Sequence, residues 1–206
     1  MLVVNMYAGP GSGKTTLAHA VTAKLKMMGT GHVVEYVGEY AKRLVFEDRR
    51  AAMANQILIL GRQFQELGNL WGKADIVVTD GPMLHGLIYG DKLKYTQTFF
   101  DLAVWCDRQF QTMNVFVDRL DTLPFESVGR LQNLAQSREI DAEIREMLAR
   151  TGTPLTFSGT PTEMSAEAIA IQAIEAHTTL TKLPKPDSWF DTTGPKEYRR
   201  SDRHAA

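Results

Sequence analysis

The sequence predicts an α/β fold in three layers, a five-stranded parallel sheet covered by helices on both faces. Two observations carry this. A glycine-rich loop stands directly between an apolar run and a helical pattern, and short apolar runs then alternate with helical stretches along most of the chain. Composition agrees with one such unit: 206 residues, 44% of them hydrophobic, can bury one sizeable core. A single domain over residues 1–177 is expected, followed by a proline-containing, mildly basic tail over 178–206.

The first strand is the apolar run at residues 2–7, and further strands are expected at 33–37, 75–79, 114–117 and 154–158. The first helix carries Leu17, Val21, Leu25 and Met28 as one stripe, and Gly29 and Gly31 end it. Met53, Ile57, Leu60, Phe64, Leu67 and Trp71 recur at spacings of four and three, which predicts one long helix against the core. A further helix places Phe99, Leu102, Ala103, Cys106 and Phe110 on one side, making Cys106 a core residue. Thr160 as N-cap, Pro161 at the first helical position and Glu163 at the third predict a last helix that runs to about His177. From Thr178 onward Pro184, Pro186, Gly194 and Pro195 break any periodicity.

Charge and cysteine usage narrow the function classes. With 23 basic and 24 acidic residues the formal charge is −1, so nothing draws the whole chain to nucleic acid or to an acidic membrane, although a local basic groove is compatible with that value. The lone cysteine cannot form an internal disulfide, which fits a reducing compartment. No basic leader with an apolar core and no run of membrane-spanning length is present, so a cytoplasmic location without a membrane partner is expected.

The glycine-rich loop is Ala8-Gly9-Pro10-Gly11-Ser12-Gly13-Lys14-Thr15, which matches GxxxxGK[ST] except for Ala8 at the first glycine. In such a loop backbone N–H groups turn inward on a triphosphate, Lys14 reaches the β and γ phosphates, and the Thr15 hydroxyl is placed to ligate Mg²⁺. The helix that follows, opening with Thr16 in its first turn, adds its positive N-terminal dipole. ATP and Mg²⁺ are the expected ligands. Asp80 ends the third strand and Glu39 follows the second, so both carboxylates face the crevice beyond the carboxyl ends of the strands. Asp80 is a candidate to hold Mg²⁺ through water, and either Asp80 or Glu39 is a candidate base toward an attacking hydroxyl.

Residues 119–138 read as a mobile cover containing Asp121, Pro124 and Gly129, with Arg119, Arg130 and Arg138 spread along it. Transfer to a substrate rather than to water needs a closed site, and the moving phosphoryl group needs cations. The alternative for this stretch is a solvated charged helix, since Glu139, Asp141, Glu143, Arg145 and Glu146 follow. Gln56 and Gln63 share a helix face beside the apolar seam, where amides can read a pyrimidine edge; ordinary surface glutamines are the alternative.

Together these residues resemble the P-loop nucleoside and nucleotide kinases, and among them a group of small bacteriophage P-loop kinases. The marks are the segment from Asn5 to Thr15, Gly38-Glu39-Tyr40-Ala41-Lys42, Gly61-Arg62-Gln63-Phe64 and Val78-Thr79-Asp80-Gly81-Pro82, and the likeness covers residues 1–177. The chain departs from the group in its long tail and in Gly81, where a serine is more usual. The resemblance implies a P-loop kinase-like fold and transfer of the ATP γ-phosphate to a hydroxyl. Some members look like 5-hydroxymethyl-deoxyuridine DNA kinases, which act in thymidine hypermodification, and others are presumed deoxynucleotide kinases. The acceptor implied is therefore the base hydroxymethyl group in phage DNA, with a free deoxynucleoside monophosphate as the rival. An NTP-hydrolysing switch with a protein partner is the reading from a different class.

Overall fold

The computed structural model describes residues 1–90, 95–120, 122 and 132–180. Strand β1 (Leu2–Tyr7) runs into the glycine-rich loop and helix α1 (Lys14–Met27), and β2 (Val34–Val37) leads to α2 (Tyr40–Phe46), α3 (Arg50–Met53) and α4 (Gln56–Asn69). After β3 (Ile76–Thr79) come a 3₁₀ turn (Met83–His85), α5 (Gly86–Tyr89) and α6 (Gln97–Asp107). Strand β4 (Gln111–Val117) precedes α7 (Leu134–Arg150), and β5 (Phe157–Gly159) precedes α8 (Glu163–Leu180). The strands pair in parallel in the order β2-β3-β1-β4-β5, a P-loop kinase-like arrangement. The chain leaves β1 toward one edge of the sheet and later returns to fill the other, so the carboxyl end of β1 is the topological switch point, where open α/β sheets bind ligands.

Strand alternation supplies both covered faces. Leu2, Val4 and Met6 point to one side, where Leu17, Val21 and Leu25 of α1 meet Ile169, Ala170 and Ala173 of α8. Val3 and Tyr7 point to the other, against Leu60 and Leu67 of α4, Phe99 and Ala103 of α6 and Ile144 and Leu148 of α7. Buried on both faces, such strands are near-continuous apolar runs, which is why they were visible in the sequence. Cys106 is buried, as its place on the apolar side of α6 implies.

The structure corrects several local expectations. The long helix expected through Met53 and Trp71 is broken: Met53 ends α3, and Asn55 starts α4 by accepting the Leu58 N–H on its side chain at 3.1 Å. An asparagine that bonds its own downstream backbone competes with helix continuation. Helix α4 buries Gln56, Leu60, Gln63 and Leu67, while Ile57 is 56% exposed. Leu102 on α6 is likewise 43% exposed rather than in the core. The last helix is capped by Thr162, whose hydroxyl accepts the Ser165 N–H at 3.2 Å, not by Thr160. Strand β4 begins three residues earlier than its apolar run, since Gln111 and Thr112 pair with Leu2 and Val3 at the polar end of the sheet. Strand β5 begins later than expected: Pro154 lacks the N–H a ladder needs, and its carbonyl accepts from Asn114 Nδ2 at 3.2 Å.

Candidate active site

The loop after β1 turns twice through left-handed backbone, at Gly11 (φ 77°) and Gly13 (φ 90°). Ala8 is not among the positive-φ residues, so a side chain at the first glycine position is accommodated, fully buried behind the loop. At Gly13 two constraints coincide: besides its φ, a Cβ would stand 2.8 Å from Pro161 Cγ, because the start of the last helix braces the loop. Pro10, Gly11, Gly13, Lys14, Thr15 and Thr16 line a cavity of about 440 Å³. Ala8, Gly9 and Ser12 form the inner side of the turn, with the Ser12 hydroxyl buried and unpartnered among the described residues.

Lys14 begins α1, and its Nζ donates to the Gly9 carbonyl at 3.3 Å. Burial pulls its pKa below the ordinary lysine value, opposed by Glu39, Asp80 and Asp141, while Arg119 adds to the depression. Next to it, Thr15 Oγ1 donates to Asp80 Oδ2 at 2.5 Å and accepts from Lys42 Nζ at 3.4 Å. Asp80 is 1% exposed. Its other oxygen accepts the Tyr36 hydroxyl at 2.8 Å and the Glu39 backbone N–H at 3.0 Å. Burial, and next to it the Asp80 charge, raise the Tyr36 pKa far above the usual phenol, so the hydroxyl stays a donor. Glu39 precedes α2 in extended backbone and lines the same cavity as Lys14 and Thr15. The two carboxylates of the sequence prediction therefore converge on one crevice.

Mg²⁺ is held by one or two carboxylates with phosphate oxygens and waters, not by an all-protein cage. The Thr15 hydroxyl and the Asp80 carboxylate, hydrogen-bonded to each other beside the glycine-rich loop, fit that donor set. Among the described residues no group of three or more His, Cys, Asp or Glu side chains is arranged to hold a metal.

The expected lid arginines divide. Arg130 lies outside the described residues, as do 123–131 around it and the tail from 181. Arg119 is turned behind the phosphate loop rather than over it: Nε donates to Asp141 Oδ2 at 2.5 Å, one terminal nitrogen to the Pro10 carbonyl at 2.9 Å and the other to the Ser137 carbonyl at 3.0 Å. Asp141 Oδ1 in turn accepts the Gly9 N–H at 2.6 Å. This ion pair fastens α7 to the loop, so Arg119 positions the loop instead of covering the nucleotide. Arg138 belongs to the first turns of α7, not to a cover, and is exposed there. A solvated charged helix is the alternative that the sequence offers for this stretch, and α7 (Leu134–Arg150) is one.

The two glutamines are buried rather than superficial, with different roles. Gln63 (2% exposed) commits both Nε2 protons, to the Gly38 carbonyl at 3.2 Å and Thr79 Oγ1 at 3.3 Å, and its Oε1 accepts the Tyr40 N–H at 3.4 Å. It bolts the segment carrying Glu39 to the end of β3 and has no donor left for a substrate. Gln56 lines the cavity and donates one proton to the Met53 carbonyl at 3.1 Å, while its backbone N–H is capped by the Tyr95 hydroxyl at 2.7 Å. Tyr36 was not named in the sequence, Lys42 only as part of a motif and Asp141 only as a helix charge, none of them with a role at the site. Only their packing against Asp80, Thr15 and Gly9 reveals them.

Gly81 explains the departure from serine. A Cβ there would stand 2.8 Å from both the Glu39 Cα and Gln63 Nε2. The first of these is backbone and cannot swing aside. Gly81→Ala is expected to push the Glu39 segment off its place, with a stability loss of about 1–3 kcal/mol and a fall in turnover larger than any fall in nucleotide affinity. Denaturant midpoints and steady-state kinetics read the two effects separately.

Fold and site together define a P-loop phosphate-binding protein with a parallel five-stranded sheet. The chain belongs to the AAA domain family, whose model matches residues 3–163. No curated protein matches this sequence. Among solved structures, shikimate kinase from Aquifex aeolicus vf5 is similar at 13% identity, covering 85% of this chain and 98% of that one with a TM-score of 0.44. Shikimate kinase from Bacteroides thetaiotaomicron is similar at 14% identity, covering 88% and 99% with a TM-score of 0.38. At that level of likeness nothing about their substrate carries over to this chain. Among the described residues no helix is long and apolar enough to cross a membrane.

Proposed function

We propose that this chain is an ATP-dependent phosphotransferase. The observation that carries the reading is one continuous cavity that has Lys14 and Thr15 at one end, Glu39 at its side, and a chamber between α2, α4 and α5 beyond. A phosphate loop that only hydrolyses nucleotide needs room for water; a chamber of this size adjoining the loop suits an acceptor molecule. Lys14 and the loop N–H groups hold the β and γ phosphates. Mg²⁺, held by Thr15 and through water by Asp80, would neutralise charge on those phosphates. The acceptor oxygen bonds to the γ-phosphorus as the bond from that phosphorus to the bridging oxygen breaks. ADP leaves with the bonding pair, and the hydroxyl proton passes to Glu39. Glu39 is assigned this part because it lines the cavity together with Lys14 and Thr15, whereas Asp80 stands outside that lining, tied to Thr15, Tyr36 and the Glu39 N–H.

The acceptor proposed is the 5-hydroxymethyl group of 5-hydroxymethyl-deoxyuridine in DNA, in line with the phage kinases the sequence resembles. A base in duplex DNA reaches an enclosed chamber only when extruded from the stack. The test is transfer of label from ATP onto DNA containing 5-hydroxymethyluracil. Label is expected there and not on thymine DNA, which lacks the nucleophile, and transfer should fall as salt rises if backbone contacts contribute. Efficient labelling of a free deoxynucleoside monophosphate, with none on modified DNA, would assign the rival acceptor. Rapid ATP hydrolysis that no acceptor accelerates would remove the kinase reading altogether.

A further inference from the structure

Gly9 is a glycine for room rather than for backbone freedom. Its φ is not positive, but a Cβ there would stand 2.5 Å from the Ser137 carbonyl oxygen on α7. So close an approach lets Asp141, one turn further along α7, accept the Gly9 N–H at 2.6 Å. Arg119 donates to the Pro10 carbonyl at 2.9 Å and to the other oxygen of the Asp141 carboxylate at 2.5 Å. Two consecutive loop residues are thereby held from outside the loop, next to Ala8, where the loop departs from its motif.

This grip sets a carboxylate against a loop that has to receive a triphosphate, and an unbalanced carboxylate there would repel the ligand it helps to seat. The side chains of Arg119 and Asp141 are 12% and 17% exposed, so solvent screens little of either charge. Both charges are felt at the phosphate end: besides burial, which lowers the Lys14 pKa most, Asp141 pulls it up and Arg119 pushes it down. We propose that Arg119 and Asp141 are a charge-balanced positioning pair, in which Asp141 sets the entry of the phosphate loop and Arg119 cancels its charge toward the nucleotide. This rests on the nucleotide-binding part of the reading above and is independent of the acceptor. Removing either partner breaks the same ion pair, but the two removals leave opposite charges behind. A pair that merely fastened α7 would lose nucleotide affinity equally either way.

The probe is the β,γ-imido analogue of ATP with Mg²⁺, titrated calorimetrically against wild type, Asp141→Asn, Arg119→Gln and Arg119→Lys. Asparagine keeps an oxygen that can accept the Gly9 N–H, and glutamine keeps a donor for the loop carbonyl. Arg119→Gln, which leaves the carboxylate unbalanced, is expected to raise the Kd about tenfold or more, and Asp141→Asn by no more than about threefold. Arg119→Lys keeps the charge without the fork and should stay within about threefold of wild type. Thermal denaturation without nucleotide reads the loss of the shared contact, expected to be of similar size in Asp141→Asn and Arg119→Gln. Equal weakening of binding in those two variants, or none in either, overturns the charge balance. Should Arg119→Gln not fold, Arg119→Lys decides: affinity kept sustains the pair, and a loss of about tenfold or more overturns it. Wild type that binds the probe, with this asymmetry among the variants, but labels no acceptor overturns phosphotransfer and sustains the pair. Wild type that does not bind the probe overturns both.

Discussion

Lys14→Met should abolish phosphoryl transfer, by about a thousandfold or more, while leaving the protein folded and no less stable. The loss follows from removing the cation proposed to hold the phosphates; one preorganised electrostatic contact of this kind is typically worth about a hundredfold to a thousandfold, and in the proposed reading the charge also serves nucleotide binding. The stability half of the expectation comes from the direction of the lysine pKa. Burial is its largest cause and lowers it, so the folded state disfavours the ammonium relative to the unfolded chain. The unfolded chain then binds the proton more tightly, and stability rises with pH between the lowered folded value and the ordinary lysine value. At neutral pH the charge opposes folding, and an apolar side chain of similar length relieves it. Thermal denaturation without nucleotide should give an equal or higher Tm for Lys14→Met, with transfer of label from ATP lost. A folded variant with normal transfer would remove the loop from the chemistry.

Asp80→Asn should lower affinity for Mg·ATP by about ten- to a hundredfold, a usual magnitude for groups that orient a metal's ligands. Asp80 accepts from Thr15, Tyr36 and the Glu39 backbone. An amide can accept on one oxygen only and turns a donor toward groups that are themselves donors. The Thr15 hydroxyl loses its orientation, and the Glu39 segment loses one of its ties. Glu39→Gln is the contrasting variant, expected to keep Mg·ATP binding near wild type and to suppress turnover. Titration of ATP with and without Mg²⁺, alongside single-turnover transfer, separates the two. Unimpaired turnover by Glu39→Gln would return the proton-accepting part to Asp80 or dispense with it.

How much of this was legible in the sequence depends on the range of the interaction that decides each feature. The phosphate loop, its strand and its helix are local: Gly11 and Gly13 permit the left-handed turns, and the apolar run from Leu2 to Tyr7 places them at a strand end. Asp80 and Glu39 could be placed at the crevice because they stand one and two residues past the ends of parallel strands. The role of Arg119 was misread because a guanidinium in a loop between elements looks the same in sequence whether it faces the nucleotide or Asp141 on α7, 22 residues away. The glutamines were underrated for a related reason. The buried face of α4 is Gln56, Leu60, Gln63 and Leu67, two of them polar, so a stripe read from apolar residues alone assigned Ile57 to the core and left Gln56 and Gln63 beside it.

By itself the sequence determined the sheet, the phosphate loop and the pair of carboxylates, since strand alternation, glycine φ angles and position at a strand end act within a few residues. Tertiary structure alone decided what Asp80 is tied to, which arginine braces the loop, why residue 81 must lack a side chain, and which buried side chains line the cavity beyond the loop. Those outcomes depend on groups brought together across long stretches of chain, such as Gln63 with Gly38 and Asp80 with Thr15. Whether a buried polar atom is satisfied or left open to a ligand is a property of its three-dimensional neighbours, and no periodicity in the chain records it.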